Sequence, residues 1–242
     1  MLQITDLHVN FGKVTAVRGA TISVPPGQVT LALGANGAGK TSTLRATVGL
    51  IKSASGSVTL DGKPITGLAP HKIVARGVAL VPEGRRVFGP LTVEENLRLG
   101  ARTTPRVRRA DLLAKYYEMF PILQTRRRSP AGLLSGGEQQ MLAFARALMG
   151  EPAYVLMDEP SMGLAPAVIE SIMTTVRTIA DSGYGVLMVE QNADAGLQVA
   201  DNVVVMSHGE CVYTGPAEEA TAHSAVVRAF LGEAALAPEK LG

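Results

Sequence analysis

The chain has 242 residues, enough for one domain with a sizeable core or one domain that carries a subdomain. Its 23 Lys and Arg nearly balance 21 Asp and Glu, so no overall electric field favours nucleic acid or an anionic membrane surface as a partner. The single cysteine, Cys211, excludes a disulfide framework and a thiolate metal site and predicts a reducing, cytoplasmic compartment, and no apolar run is long enough to span a bilayer.

The first part of the chain favours short strands. Strands are predicted at 2–9, 16–24, 29–33 and 57–60. The turn at Pro25-Pro26-Gly27 separates the second strand from the third, and a glycine-rich stretch then leads into a predicted helix at 41–50. This order indicates a strand, loop and helix unit with an antiparallel attachment.

A helical insert is predicted between residues 91 and 149. Thr92 and Glu95 form a capping-box pattern, in which each side chain can bond to a backbone amide near the other. Two arginine-rich runs lie in this insert, at 106–109 and 126–128. No aromatic platform accompanies these charges, so a solvated helix face or loop is favoured over contact with nucleic acid or lipid.

Strands and helices alternate after Pro152. Strands are predicted at 154–157, 185–189 and 203–206. One helix is predicted after Pro166, before the second of these strands, and another runs through Ala200, before the third. This alternation indicates an α/β fold with a parallel sheet covered on both faces. Binding chemistry is then expected at the carboxyl ends of the strands.

A phosphate-binding turn lies between the third strand and the first helix, where residues 34–41 match the pattern G-x-x-x-x-G-K-[ST]. Glycines let the backbone amides point at phosphate oxygens, and the helix start adds positive charge. Lys40 would bridge the β- and γ-phosphates of ATP, and the Thr41 hydroxyl would bind Mg²⁺; a glycine turn with a chance Lys-Thr is the alternative. The candidate phosphate-binding residues are Gly34, Asn36, Gly37, Ala38, Gly39, Lys40, Thr41 and Ser42.

Two acids follow the apolar strand at 154–157. Asp158 would hold the metal, directly or through water, and Glu159 would polarise the attacking water as general base. A solvated turn at a strand end would look the same, but the phosphate-binding turn upstream makes the catalytic interpretation the stronger one.

The segment 134–140, Leu-Ser-Gly-Gly-Glu-Gln-Gln, precedes a predicted helix and resembles the signature sequence of ABC ATPases. Its candidate residues are Ser135, Gly136, Gly137 and Glu138. A helix start can bind an anion, and the resemblance implies that these residues act on ATP held by a partner subunit. It also implies a phosphate-loop NTPase fold with a parallel-sheet core, an antiparallel β subdomain and a helical subdomain at about 88–150, within a single domain at 1–232 that precedes a tail at 233–242.

Three further positions take their expected roles from this resemblance. Phe11 occupies the place where the family stacks an aromatic ring on adenine, although a core role is the usual interpretation of a lone Phe. Glu83 stands in place of a glutamine near the metal, and Gln191 stands in place of a histidine. Glutamine can hydrogen-bond the γ-phosphate but cannot carry a proton as imidazole can, so we expect Glu159, with Gln191 and Lys40, to carry catalysis. None of the four histidines of the chain is placed to take the role of the family's histidine; they are His8, His71, His208 and His223.

Several motifs together narrow the resemblance to the shorter ATPase subunit of high-affinity branched-chain amino acid importers. They lie at 83–88, 134–141, 161–166, 189–193 and 227–233. The resemblance implies a second ATPase subunit in a hetero- or homodimer, two membrane permeases, and a solute-binding protein outside the cytoplasm that acts indirectly. It places the chain on the inner face of the cell membrane, without a nucleic-acid partner. A groove near Val87, Phe88 and Leu91 would receive a permease helix, unless these residues simply pack the insert.

Three alternatives stay open. The chain could serve a related urea or amide importer, whose ATPases have similar sequences. A non-transport ABC ATPase acting on DNA or ribosomes is disfavoured because the chain has no room for long coiled coils or a second ATPase domain. A subunit that binds ATP but barely hydrolyses it is disfavoured by Lys40, Asp158 and Glu159, while Gln191 keeps it open.

Overall fold

The computed structural model describes residues 1–220, in two sheets. The predicted tail at 233–242, the motif at 227–233 and His223 lie outside the described residues. The strands are β1 Leu2–Phe11, β2 Val14–Val24, β3 Val29–Leu33, β4 Ser55–Leu60, β5 Lys63–Pro64, β6 Val78–Val81, β7 Tyr154–Asp158, β8 Gly185–Glu190, β9 Asn202–Ser207 and β10 Glu210–Pro216. The helices are α1 Lys40–Thr47, α2 Pro70–Val74, α3 Val93–Gly100, α4 Arg109–Met119, α5 Pro121–Thr125, α6 Gly136–Leu148, α7 Pro166–Asp181, α8 Ala193–Leu197 and α9 Ala217–Ala220.

The central sheet has the strand order β10-β9-β3-β8-β7-β6, and only β10 pairs antiparallel. The second sheet, β2-β1-β4-β5, is antiparallel. Every residue of β3, β7 and β8 is buried, which explains why these strands are almost continuously apolar. The α/β fold with a parallel core and an antiparallel attachment, as predicted, is confirmed.

The alternation of side chains along β3 divides the core into two layers. Val29, Leu31 and Leu33 belong to the layer that packs against the helices, whereas Ala32 belongs to the layer under the antiparallel sheet. The central sheet is therefore held between helices on one face and, on the other, the antiparallel sheet with α1.

The helical segment from α3 to α6 starts at the predicted capping box. The Thr92 amide donates to Glu95 Oε2 at 2.8 Å, and the Glu95 amide donates to Thr92 Oγ1 at 3.2 Å. Helix α3 packs directly on α6: a Cβ added at Gly100 would overlap the carbonyl oxygen of Arg146, so only glycine allows this approach. The subdomain limits of about 88–150 stay a prediction.

The structure differs from the prediction in several elements. The helix predicted to run through Ala200 ends at Leu197, and the short elements β5 and α9 were not predicted. The helix predicted at 41–50 ends at Thr47, because Gly49 adopts a left-handed conformation with φ 72° that stops the helix. Strands β6 and β10 and helix α2 were not predicted: β6 has only four residues, and β10 alternates between half-buried and exposed positions without a continuous apolar run. Within residues 1–220, no helix combines the length and apolarity that crossing a membrane requires.

Candidate active site

Parallel topology brings the predicted catalytic segments to one edge of the central sheet. Strands β3, β6, β7 and β8 run in the same direction, so the residues that follow their carboxyl ends meet there. They surround a cavity of about 430 Å³. Its lining residues are Ala16, Asn36, Gly37, Ala38, Gly39, Lys40, Thr41, Ser42, Glu83, Glu159, Met162 and Gln191.

The turn between β3 and α1 holds Lys40 in place. The Lys40 ammonium donates to the carbonyls of Gly34 at 2.6 Å and Ala35 at 3.2 Å, and its side chain is only 4% exposed. Gly39 has φ 101°, a left-handed conformation that favours glycine. Gly34 is buried behind the cavity, where an added Cβ would overlap the carbonyl oxygen of Met206. The buried ammonium is thus anchored by carbonyl oxygens at the cavity wall.

Thr41 and Asp158 form a hydrogen-bonded pair at the start of α1. The Thr41 hydroxyl donates to Asp158 Oδ1 at 2.8 Å. Burial raises the pKa of Asp158, the hydrogen bond from Thr41 opposes that rise, and the nearby charges of Glu83 and Glu159 add to it. Asp158 does not line the cavity itself, but its partner Thr41 does. Two oxygen groups therefore lie together at the site predicted to bind the metal.

Glu159 projects into the cavity from an unusual backbone conformation. Its φ of 46° is left-handed, which is uncommon for a residue other than glycine, and its amide donates to the Val189 carbonyl at 3.0 Å. Glu159 Oε1 lies 3.5 Å from the Lys40 ammonium. Gln191, after β8, lines the same cavity. The three residues predicted to carry catalysis are therefore brought together.

Glu190 is a buried carboxylate to which sequence reasoning assigned no role. It is 2% exposed, and its Oε1 accepts a hydrogen bond of 2.9 Å from the Ser161 amide. Burial raises its pKa, hydrogen bonds from Ser161 oppose the rise, and the charge of Glu159 adds to it. Glu190 thus ties the segment after Glu159 to the segment that carries Gln191. An acid at the end of an apolar strand was the signal that could have identified it.

Phe11 lies at the end of β1 and is 52% exposed, so the alternative that it is a core residue is wrong. It pairs with Val14 across the hairpin and is not among the residues that line the cavity. A half-exposed aromatic ring is available for stacking on a planar ligand. Its contact with adenine stays a prediction.

The signature segment forms the start of α6, away from the cavity of its own chain. Ser135 is the N-cap: its hydroxyl accepts from the Glu138 amide at 3.3 Å, and Glu138 Oε2 accepts from the Ser135 amide at 2.7 Å. Gly137 packs so closely on α7 that an added Cβ would lie 2.6 Å from Val168 Cγ1. Any side chain at position 137 would therefore clash with α7, so glycine is required in this part of the first turn of α6.

Comparison with known protein families identifies the family in which this arrangement of residues occurs. The ABC transporter family model matches residues 17–162, which include the phosphate-binding turn, the signature segment and the two acids. The chain belongs to the ABC transporter family. The sequence resemblance is thereby confirmed, and the chain is an ATP-binding subunit of this family.

Relatives within the ABC family cover nearly the whole chain. The high-affinity branched-chain amino acid transport ATP-binding protein BraG of Pseudomonas aeruginosa is 40% identical over 96% of this chain and 100% of BraG. The probable branched-chain amino acid transport ATP-binding protein LivF of Archaeoglobus fulgidus is 33% identical over 96% of this chain and 99% of LivF.

A solved ABC cassette shares the fold. The structure of the ADP conformation of an ATP-binding cassette of an ABC transporter has a TM-score of 0.84 and 27% identity, and covers 96% of this chain and 99% of that one. The parallel core, the antiparallel sheet and the helical segment of this chain are thus those of an ABC ATPase.

Proposed function

We propose that this chain is the ATP-hydrolysing subunit of an ABC importer whose solutes are branched-chain amino acids. The observation that carries the proposal is the convergence of Lys40, Thr41 and Glu159 on one cavity, with Asp158 bonded to Thr41 behind it. The choice of solute is supported by the similarity to BraG along the full length of both chains.

Phosphate binding falls to the turn at 34–41. The Lys40 ammonium, now held by the carbonyls of Gly34 and Ala35, would exchange these contacts for β- and γ-phosphate oxygens. The amides of the turn and the start of α1 add positive charge around the phosphates. Ser42 lines the same wall of the cavity and is available to bond a phosphate oxygen.

Hydrolysis needs a base for the attacking water. We assign this role to Glu159, which lines the cavity and lies 3.5 Å from the Lys40 ammonium, whereas the other carboxylate that lines the cavity, Glu83, is assigned to the metal. Glu159 would accept a proton while the water oxygen bonds to the γ-phosphorus and the bond from phosphorus to the β–γ bridging oxygen breaks. Gln191 would donate a hydrogen bond to the γ-phosphate and orient the water. The products are ADP and phosphate.

The residues around Thr41 fit Mg²⁺. The Thr41 hydroxyl and the Asp158 carboxylate are 2.8 Å apart, and Glu83 lines the same cavity; all three are oxygen donors of the kind that Mg²⁺ prefers. Bound there, the cation would neutralise charge on the phosphates. Thr41, Asp158 and Glu83 would hold it, directly or through water.

A second ATPase subunit would complete the site. The signature residues Ser135, Gly136, Gly137 and Glu138 lie outside the cavity of their own chain, at a helix start suited to an anion. We assign them to the γ-phosphate of ATP bound by the other subunit, which is a copy of this chain or a related ATPase. ATP would then join two subunits, and its hydrolysis would separate them.

A groove beside the helical segment would receive a permease. Its volume is about 340 Å³, and Phe88 and Leu99 line it together with the basic side chains of Arg102 and Arg146. The predicted groove is corrected in part: Val87 packs against the core, and neither Val87 nor Leu91 lines the groove. Docking of a permease helix here would hold the chain on the inner face of the membrane.

Uptake measurements test the proposal. In cells that lack the chain, the wild type and Val107→Glu are expected to restore uptake of labelled leucine, isoleucine and valine, whereas Leu99→Glu is expected to restore less than about a tenth of it. Both variants add a charge to the helical segment, but Leu99 lines the groove and Val107, at 84% exposure, does not. If cells that lack the chain lose uptake of urea or amides but keep normal uptake of leucine, the proposed solute is wrong.

Replacing Phe11 with Ala is expected to weaken ATP binding by about 5- to 150-fold, because stacking of an aromatic ring on a base contributes about 1–3 kcal/mol. Titration with a fluorescent ATP analogue measures the change, and Phe11→Tyr is expected to bind as the wild type does. Val14→Ala is the matched control, since Val14 is exposed on the same hairpin. Equal affinities of Phe11→Ala and Val14→Ala would remove Phe11 from the site.

A further inference from the structure

The loop after β6 contacts two functional segments through one side chain, that of Arg85. Arg85 Nη2 donates to the carbonyl of Met162 at 3.3 Å and approaches that of Gly163 at 3.5 Å. A Cβ added at Gly136 would lie 3.3 Å from both Nη1 and Nη2 of Arg85. The guanidinium group therefore lies between the loop after Glu159 and the first turn of α6.

The backbone that carries Arg85 is itself fixed by α6. The Arg146 guanidinium donates to the carbonyls of Arg85 at 3.2 Å and Arg86 at 2.8 Å, and it stacks over the Phe88 ring at 5.4 Å. Arg85 and Arg86 both have left-handed backbones, with φ 63° and 48°. Two uncommon conformations in a row persist where the surroundings enforce them, and here α6 does so.

The loop after Glu159 is held from its other side by Glu190. The Ser161 amide donates to Glu190 Oε1, while the carbonyls of the next two residues face Arg85. The Glu190 carboxylate thus accepts a hydrogen bond from a backbone amide of this short segment, and the Arg85 guanidinium group donates to its backbone carbonyls. Arg85 therefore links this loop to the start of α6, whereas Glu190 links it to β8 in the central sheet.

We propose that Arg85 is a positioning residue, which holds the loop at 161–163 against the start of α6 so that both meet the second ATPase subunit as one preformed surface. This inference rests on the proposed function, since it concerns the step in which two subunits close on ATP. Arg85 is not among the residues that line the nucleotide cavity, so we assign it no direct contact with ATP bound by its own chain.

Steady-state kinetics of the assembled transporter test the role. Arg85→Ala is expected to lower kcat for ATP hydrolysis by about tenfold, the loss expected for charge-assisted hydrogen bonds, with KM for ATP and the affinity for a fluorescent ATP analogue unchanged. Arg85→Lys keeps the charge and one donor at the same backbone position and is expected to recover part of the lost kcat. Arg76→Ala removes another arginine that donates to a carbonyl, that of Pro64, and is expected to have wild-type kinetics.

The possible outcomes distinguish a failure of the proposed function from a failure of the proposed role of Arg85. A wild type that hydrolyses no ATP would refute the proposed function, whereas wild-type kcat in Arg85→Ala would refute only the role of Arg85. A raised KM with unchanged kcat would also refute it, because Arg85 would then serve nucleotide binding. If Arg85→Ala does not fold, Arg85→Gln, which loses the charge but keeps a polar side chain, decides: a lowered kcat with unchanged KM is expected, and wild-type kcat in that variant would refute the role of Arg85.

Discussion

Glu159→Gln is expected to lower kcat for ATP hydrolysis by about 10²- to 10⁴-fold, the contribution of a general base, while ATP binding is retained. Glutamine preserves the shape of the side chain and its hydrogen-bonding oxygen but cannot accept the proton of the attacking water. Phosphate release at saturating ATP measures the loss. In the proposed function hydrolysis separates the two subunits, so the variant is also expected to accumulate a dimer in the presence of ATP, which size-exclusion chromatography detects.

Glu170→Gln is the matched control for this result. It makes the same isosteric change on α7 at an exposed position outside the cavity, and wild-type kcat is expected. Glu159→Gln with more than about a third of the wild-type rate would contradict the assignment of Glu159 as base, because a lost proton acceptor costs far more. An inactive wild type would instead support a subunit that binds ATP without turning it over.

Lys40→Ala is expected to weaken ATP binding by about a hundredfold, because the variant loses charge-assisted hydrogen bonds to the phosphates. The ammonium is buried and lies 3.5 Å from Glu159 Oε1, so its removal also leaves that carboxylate without a compensating charge. Titration with a fluorescent ATP analogue measures the affinity, and thermal unfolding without nucleotide shows whether the fold is kept.

Lys63→Ala serves as the control for Lys40→Ala. Lys63 is an exposed lysine of β5, so the same change there is expected to leave ATP affinity as in the wild type. ATP affinity unchanged in a folded Lys40→Ala protein would refute the phosphate-binding role of the turn and with it the proposed function.

The phosphate-binding turn, the capping box at Thr92 and most strands were predictable because each depends on residues close together in sequence. The turn needs its glycines and Lys40 within eight positions, and Thr92 and Glu95 cap α3 across one helical turn. Strand β6 and the lining of the groove were harder to predict from the sequence. Strand β6 is a short strand at the edge of the sheet, and the groove is formed by side chains from α2, β6, α3 and α6.

By itself, the sequence determined the chemical groups of this protein and the order of most of its strands and helices, because these follow from local pattern and residue type. Tertiary structure alone decided which groups meet. Parallel pairing of β3, β8 and β7 brings Lys40 to Glu159 over more than a hundred residues of chain, and the placement of Glu190 and Arg85 on either side of the loop at 161–163 has no local signature. Contacts between distant segments depend on how the layers pack, which a local pattern does not encode.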